Sequence, residues 1–160
     1  MGENTGMLRD MYVTVTTEDP TGQQLDMLNT AFHHLHVRDA LILQAMRHDI
    51  SFDLFATMVE HPRQAGSTMR GIMEAMFDEG QYTEAHARGF LTLLGRMAAR
   101  PSVNAQTYAV TAYLHWFLHD NTGETMDSLM KALGMDPDCL MAQIVFTGVA
   151  HGIHPSRPTM

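Results

Sequence analysis

Cysteine and lysine are almost absent from this chain. Cys139 is the only cysteine and Lys131 the only lysine among 160 residues. A lone cysteine cannot close an internal disulfide, which favours a reducing compartment and predicts a cytoplasmic protein. The chain carries 10 basic against 18 acidic residues and has no cluster of lysine or arginine. It therefore lacks the basic surface with which nucleic-acid binders displace counterions, and we expect no nucleic-acid partner.

Long apolar runs are also missing. No stretch approaches the roughly 20 apolar residues that cross a bilayer, and residues 1–20 have no apolar core of a signal peptide. We therefore expect no membrane partner. The composition, with 45% apolar and 18% charged residues, is that of a globular protein. A chain of this length can fold as one domain without a metal or a disulfide.

Methionine, in contrast, is abundant, with 15 residues. Met69, Met73 and Met76 recur at the spacing of one helical face. Flexible thioether side chains fill irregular gaps in cores, and they also line adaptable binding surfaces of the calmodulin type. The spacing favours the core interpretation.

Apolar residues recur with the helical period over most of the chain. This pattern predicts an all-α fold, a bundle of about eight short helices packed as antiparallel hairpins. The expected helices cover residues 21–36, 39–48, 52–60, 65–78, 83–100, 102–120, 124–133 and 137–150.

Capping residues set several of the predicted boundaries. Asp39 and Ser51 are suited to begin helices, because their side chains can accept hydrogen bonds from open first-turn amides. Gly80 and Gly134 are suited to end them. We expect residues 21–155 to form a single helical domain and residues 156–160 to form a C-terminal tail.

Residues 1–20 are expected to be an N-terminal tail. The β-branched run Tyr12–Thr17 predicts either a short strand or a disordered segment. An isolated strand is unstable, so such a strand would need a partner.

One hairpin near the C-terminus resembles a tetratricopeptide repeat. The likeness is carried by Ala112, Trp116, the acidic turn at Asp120, Ala132–Leu133 and Asp136–Pro137. Only one such copy is present, whereas a repeat array needs several.

The same residues, with the segment Val37–Leu41, resemble the C-terminal helical part of the DUF4192 family. The resemblance covers roughly residues 25–155. It implies a helical fold and an actinobacterial origin, but no activity, because the family has none assigned.

Clustered histidines raise the question of a metal site. His33, His34 and His36 lie close together, and His115 and His119 are four residues apart with Asp120 adjacent. Paired histidines on one helical face are how helical metal sites begin. The sequence supplies no third and fourth ligand, so we favour surface imidazoles. We assign no metal, catalytic or cofactor-binding residue and expect no cofactor.

Four other residues have two interpretations each. Arg38 and Asp39 are read as a cap and ion pair that fix two helices, rather than as a functional pair. Trp116 is read as a core residue rather than an aromatic interaction patch. Cys139, in the expected first turn of the last helix, is read as a structural thiol rather than a reactive one. No nucleophile elbow and no phosphate loop occur.

These observations favour a non-catalytic helical module that binds a protein partner or a second copy of itself. The alternative is a metal-dependent or other enzyme that uses the clustered histidines. Convergence of three histidine or acidic side chains in the structure would favour this alternative.

A homodimer is the expected form of self-association, since two-fold dimers are the commonest soluble oligomers. The unpaired run at Tyr12–Thr17, the apolar Leu41–Leu43 and the pair Phe52 and Phe55 leave more apolar surface than one core covers.

Overall fold

The computed structural model describes residues 2–160, and within this range the chain forms helices and no strand. The all-α prediction is confirmed. No helix in this part of the chain is both long and apolar enough to span a bilayer. The helices are α1 (Gly2–Thr14), α2 (Gly22–Ala31), α3 (Leu35–Arg47), α4 (Phe52–Glu60), α5 (Pro62–Glu79), α6 (Glu84–Ala98), α7 (Ala105–Phe117), α8 (Thr122–Met135) and α9 (Leu140–Ala150).

The N-terminal segment departs most from expectation. The predicted strand or disordered tail is wrong for residues 2–14, which form α1, while Met1 lies outside the described residues. Leu8, Met11 and Val15, spaced by three and four residues, are buried where α1 meets α2, α3 and α4. Packing of this face overrides the β-propensity of the run at Tyr12–Thr17, because propensity is a weak constraint beside tertiary burial.

The chain breaks earlier than predicted between α2 and α3. Residues 32–34 connect the two helices, so Asp39 lies inside α3 and is not its N-cap. Helix α3 is enclosed by α1, α4, α5 and α6. Its run Leu41–Leu43 is at most 2% exposed, and Phe55 of α4 is fully buried. These residues therefore leave no apolar surface for a second copy to cover, whereas Phe52 is only partly buried.

Most of the other predicted boundaries agree with the structure. The Ser51 hydroxyl accepts a hydrogen bond from the Leu54 amide at 3.1 Å and caps α4. Gly80 ends α5 with φ of 66°, a left-handed conformation that glycine adopts without strain. Gly134 does not end α8, which continues to Met135 and is followed by Asp136 in an extended conformation.

Helix α7 is the centre of the C-terminal half and packs against α6, α8 and α9. Trp116 is 6% exposed, and its indole N–H donates to the Ile153 carbonyl at 2.9 Å. A Cβ atom on Gly148 of α9 would lie only 2.6 Å from the indole, so the ring needs a glycine there. The interpretation of Trp116 as a core residue is confirmed.

The last residues pack on the body of the molecule. Ser156 and Thr159 donate backbone hydrogen bonds to the Phe77 and Gly80 carbonyls, at 2.7 and 2.8 Å. The segment predicted as a C-terminal tail thus covers open carbonyls at the end of α5.

Candidate functional site

An open apolar groove lies between α1 and α2. We call it the methionine groove, after Met7 and Met11 of α1 and Met27 of α2. Its volume is about 560 Å³, within the range of ligand sites in proteins. Val37 of α3 and Val59 of α4 contribute to its lining. Met11 and Val37 are buried, whereas Met7 is exposed.

The groove follows the full length of α2. Its lining includes Gln23, Met27, Thr30 and His34. The first three are three or four residues apart and form one stripe on α2, while His34 lies beyond the end of this helix. At 1.5 Å per residue, the stripe from Gln23 to Thr30 extends over roughly 10 Å. The groove is thus an elongated surface.

The polar groups stand at the edges of the groove. Glu60, at the end of α4, is exposed and contributes a carboxylate to the lining. Asp26 contributes a second carboxylate from α2. With the formal charge of −8 over the whole chain, the groove lies on an acidic protein.

Asp26 fixes the position of α2. Its carboxylate accepts two hydrogen bonds from Arg100, at 3.1 and 2.8 Å, and one from the Ser102 hydroxyl at 2.6 Å. Hydrogen bonds from Arg100 and Ser102 lower the pKa of Asp26 to about 2. This carboxylate therefore stays charged at neutral pH and joins α2 to the loop between α6 and α7.

A buried asparagine supports the same contact. The Asn29 side chain donates to the Met97 carbonyl at 2.9 Å and to the Ser102 hydroxyl at 3.0 Å. Its oxygen accepts from the Thr107 hydroxyl at 2.7 Å. The Asn104 side chain donates to the Asn29 carbonyl at 2.8 Å. These bonds satisfy a fully buried amide and hold one wall of the groove against α6 and α7.

A second feature is a charged cluster where α7 passes into α8. His115 Nδ1 lies 2.7 Å from an Asp120 oxygen and 3.7 Å from a Glu124 oxygen. Among residues 5–160, whose side chains the structure describes, these three are the one group of three histidine, cysteine or acidic residues whose ligand atoms lie within 4.8 Å of one another. The convergence that would favour the metal alternative is therefore present, but at a different set of residues.

Arg88 of α6 completes this cluster. Its guanidinium donates to both oxygens of Asp120, each at 2.8 Å, and lies 3.7 Å from Glu84. Burial raises the pKa of Asp120, but hydrogen bonds from Arg88 and His115 outweigh it and lower that pKa overall. Asp120 is therefore an anion, and the short contact with His115 is an N–H donated to a carboxylate.

The histidines singled out in the sequence do not form one site. His33, His34 and His36 are exposed and are not part of the convergent group. His119 adopts a left-handed conformation with φ of 57°, and its Nε2 lies 2.6 Å from the Pro155 carbonyl. His115 and His119 therefore do not share one helical face, because α7 ends between them.

Two other predicted features are in part as expected. Arg38 and Asp39 form an ion pair at 2.8 Å, and Arg38 also donates to Gln106 of α7 at 2.6 Å. The bond to Gln106, rather than a cap by Asp39, joins the two helices. Cys139 is a free thiol, 1% exposed, at the N-cap position of α9.

Sequence reasoning missed Glu124 and the groove. Glu124 is four residues beyond Asp120, in the first turn of α8, and an acidic search around His115 could have found it. The groove has no local sequence signal, because it depends on how α1 and α2 pack.

No family model, curated protein or solved structure matches this chain. The resemblances to the DUF4192 family and to a tetratricopeptide hairpin therefore stay predictions.

Proposed function

We propose that this chain is a non-catalytic interaction module that binds an amphipathic helix of a partner protein in the methionine groove. The observation that carries the proposal is the groove itself, an elongated apolar surface walled by flexible methionines. Helix-in-groove recognition places side chains at i, i+3, i+4 and i+7 along such a surface. A stripe of roughly 10 Å faces about two helical turns, which is the span from i to i+7.

Charge favours a basic partner helix. The groove is edged by Glu60 and lies on a protein with a formal charge of −8. Complementary charge speeds association and disfavours acidic partners. Methionine side chains adapt to different apolar side chains, so the groove suits a family of related helices.

A model peptide tests the proposal. The probe is a labelled helix of about 18 residues, long enough to be helical, with leucine on one face and lysine on the other. We expect saturable binding by fluorescence anisotropy. Met27→Lys places a charge in the groove and should weaken binding by about tenfold or more.

Met130→Lys is the matched control. Met130 lies on α8, is 65% exposed and is outside the groove, while the substitution makes the same change in net charge. It should leave the affinity nearly unchanged. Equal weakening by both variants would show that the peptide responds only to overall charge. Binding of a small apolar dye, without binding of the helix, would instead indicate a small-molecule site.

Self-association is a second candidate, which the composition of α9 favours. Helix α9 has no charged residue, and it exposes Leu140, Ile144 and Phe146. A charge-free face is the surface on which two copies of an acidic chain repel each other least. We propose a two-fold homodimer through this face.

Light scattering coupled to size exclusion tests the dimer. We expect twice the chain mass of 17.9 kDa, and Ile144→Lys should restore the single-chain mass. A mass of one chain for the wild type at high concentration would contradict self-association without affecting the groove proposal.

A further inference from the structure

The joint between α7 and α8 brings an imidazole and two carboxylates together within ten residues. His115 lies in the last turn of α7, Asp120 in the connecting loop and Glu124 in the first turn of α8. The Asp120 amide donates to the His115 carbonyl at 3.0 Å, and the Asn121 side chain accepts from the Glu124 amide at 2.9 Å. These hydrogen bonds thus fix the backbone from which the three side chains extend.

The geometry points to a site for one divalent transition metal ion of the zinc type, held by His115 Nδ1 and by carboxylate oxygens of Asp120 and Glu124. One imidazole and two carboxylates are a donor set that zinc accepts, with water in a remaining position. Donors about 2.1 Å from a tetrahedral ion lie roughly 3.4 Å apart. The contacts of 2.7 and 3.7 Å from His115 bracket that separation.

The charges around the joint suit a dication. The cluster contains three carboxylates, of Glu84, Asp120 and Glu124, and one guanidinium, of Arg88, which pairs with the first two. With His115 neutral, the cluster carries two net negative charges. Arg88 holds both oxygens of Asp120 yet leaves lone pairs unused, because a carboxylate offers about four acceptor positions. In other metal sites such outer hydrogen bonds orient the ligand.

Binding would replace the proton that His115 and Asp120 now share. In the metal-free protein this proton is on Nδ1 and points at the carboxylate. In the bound form the neutral ring carries its proton on Nε2, and the Nδ1 lone pair faces the ion. His115 and Asp120 separate slightly, and Glu124 moves inward. Glu124 can do so because it is 55% exposed and only loosely held.

The competing explanation is a purely structural ion-pair network. Glu124 in a first turn suits the helix dipole, and Asp120 pairs with Arg88 without any metal. This account predicts no selective uptake of zinc. The two explanations therefore differ in a measurable property.

Calorimetric titration of chelator-treated protein with ZnCl₂ tests the site, and Co²⁺ absorption reports on the ligand geometry. We expect one ion per chain. Glu124→Gln should weaken binding by about tenfold or more, and His115→Asn should abolish it. Zinc should raise the melting temperature of the wild type, since it binds the folded state, but not that of Glu124→Gln.

Two control variants test whether zinc binds at the connection between α7 and α8 rather than at other histidines or acidic residues. Asp127→Asn removes an exposed acid of α8 outside the group, and His33→Asn with His36→Asn removes the exposed histidine cluster. Both variants should bind zinc like the wild type. The metal-free melting temperature of Glu124→Gln should stay near that of the wild type, because the side chain is exposed. Absence of zinc binding at micromolar protein, or binding unchanged by Glu124→Gln and His115→Asn, would overturn the inference.

Discussion

The two halves of the bundle differ in the side chains that pack around Trp116 and in those that line the groove between α1 and α2. Around Trp116 the rings of Phe77, Tyr113 and Phe117 lie with centroids 5.5 to 6.3 Å away, mostly edge to face. Between α1 and α2 the facing side chains are methionines, and a groove of about 560 Å³ remains. Stiff rings fill space in one geometry, whereas methionine adapts. The aromatic half therefore suits stability and the methionine half suits binding.

The largest effect is expected in the aromatic half. Trp116→Ala removes a buried ring and its hydrogen bond to Ile153, and should cost about 3–5 kcal/mol of unfolding free energy. Chemical denaturation measures this loss. Below the new midpoint the variant should still bind the model helix, because Trp116 is outside the groove. An unchanged midpoint would contradict the division into a stabilising half and a binding half.

An intermediate loss of unfolding free energy is expected where α2 contacts α6 and α7. Asn29→Ala removes the amide that bonds Met97, Ser102 and Thr107, and should cost about 1–3 kcal/mol by leaving buried groups unsatisfied. It should also weaken peptide binding, because α2 is one wall of the groove. Thr30→Ala, at an exposed position of α2, is the control for stability and should change it little. Full peptide affinity in Asn29→Ala would show that the groove does not depend on this network.

The smallest expected effect is on the pH dependence of the unfolding free energy. His48 at the end of α3 stacks on His86 of α6, with ring centroids 3.5 Å apart and planes 9° from parallel. Burial, and the charge of His86, lower the pKa of His48 below its ordinary 6.5. The folded state therefore holds His48 neutral, and this contribution is complete above pH 6.5 and declines as the pH falls below it.

Thermal unfolding between pH 7.5 and 5 measures this contribution. His48→Asn should make stability less dependent on pH, and asparagine tolerates the left-handed backbone at this position, where φ is 61°. The carboxylate of Asp49, which bonds Arg47, titrates at much lower pH and does not interfere. His151→Asn, at an exposed position, is the control. Identical pH profiles for His48→Asn and the wild type would contradict the interpretation.

The sequence was sufficient for the fold class and for most helix ends, but insufficient for the N-terminal segment and for the candidate sites. Ser51 and Gly80 set helix ends through their own side chain or backbone freedom, so both could be predicted. Tyr12–Thr17 was misread, because burial against α4 is a long-range effect that propensity does not contain. The prediction that Asp39 caps a helix was wrong, because α3 already begins at Leu35.

The candidate sites also depend on long-range packing that the local sequence does not contain. The spacing drew attention to His115 and His119, but His119 adopts a left-handed conformation beyond the end of α7 and lies outside the cluster. Glu124 approaches instead, because the loop folds α8 back toward α7. The groove was beyond prediction, since helical spacing alone does not distinguish a methionine in the core from one in an open groove.

The most direct test of the proposed function observes the methionines themselves. We would record methyl spectra of protein labelled at the methionine ε-carbons while adding the leucine–lysine helix. The account predicts shifts at Met7, Met11 and Met27, and none at the exposed Met130 and Met135 of α8. Shifts at Met130 and Met135, with none at the groove methionines, would contradict the account.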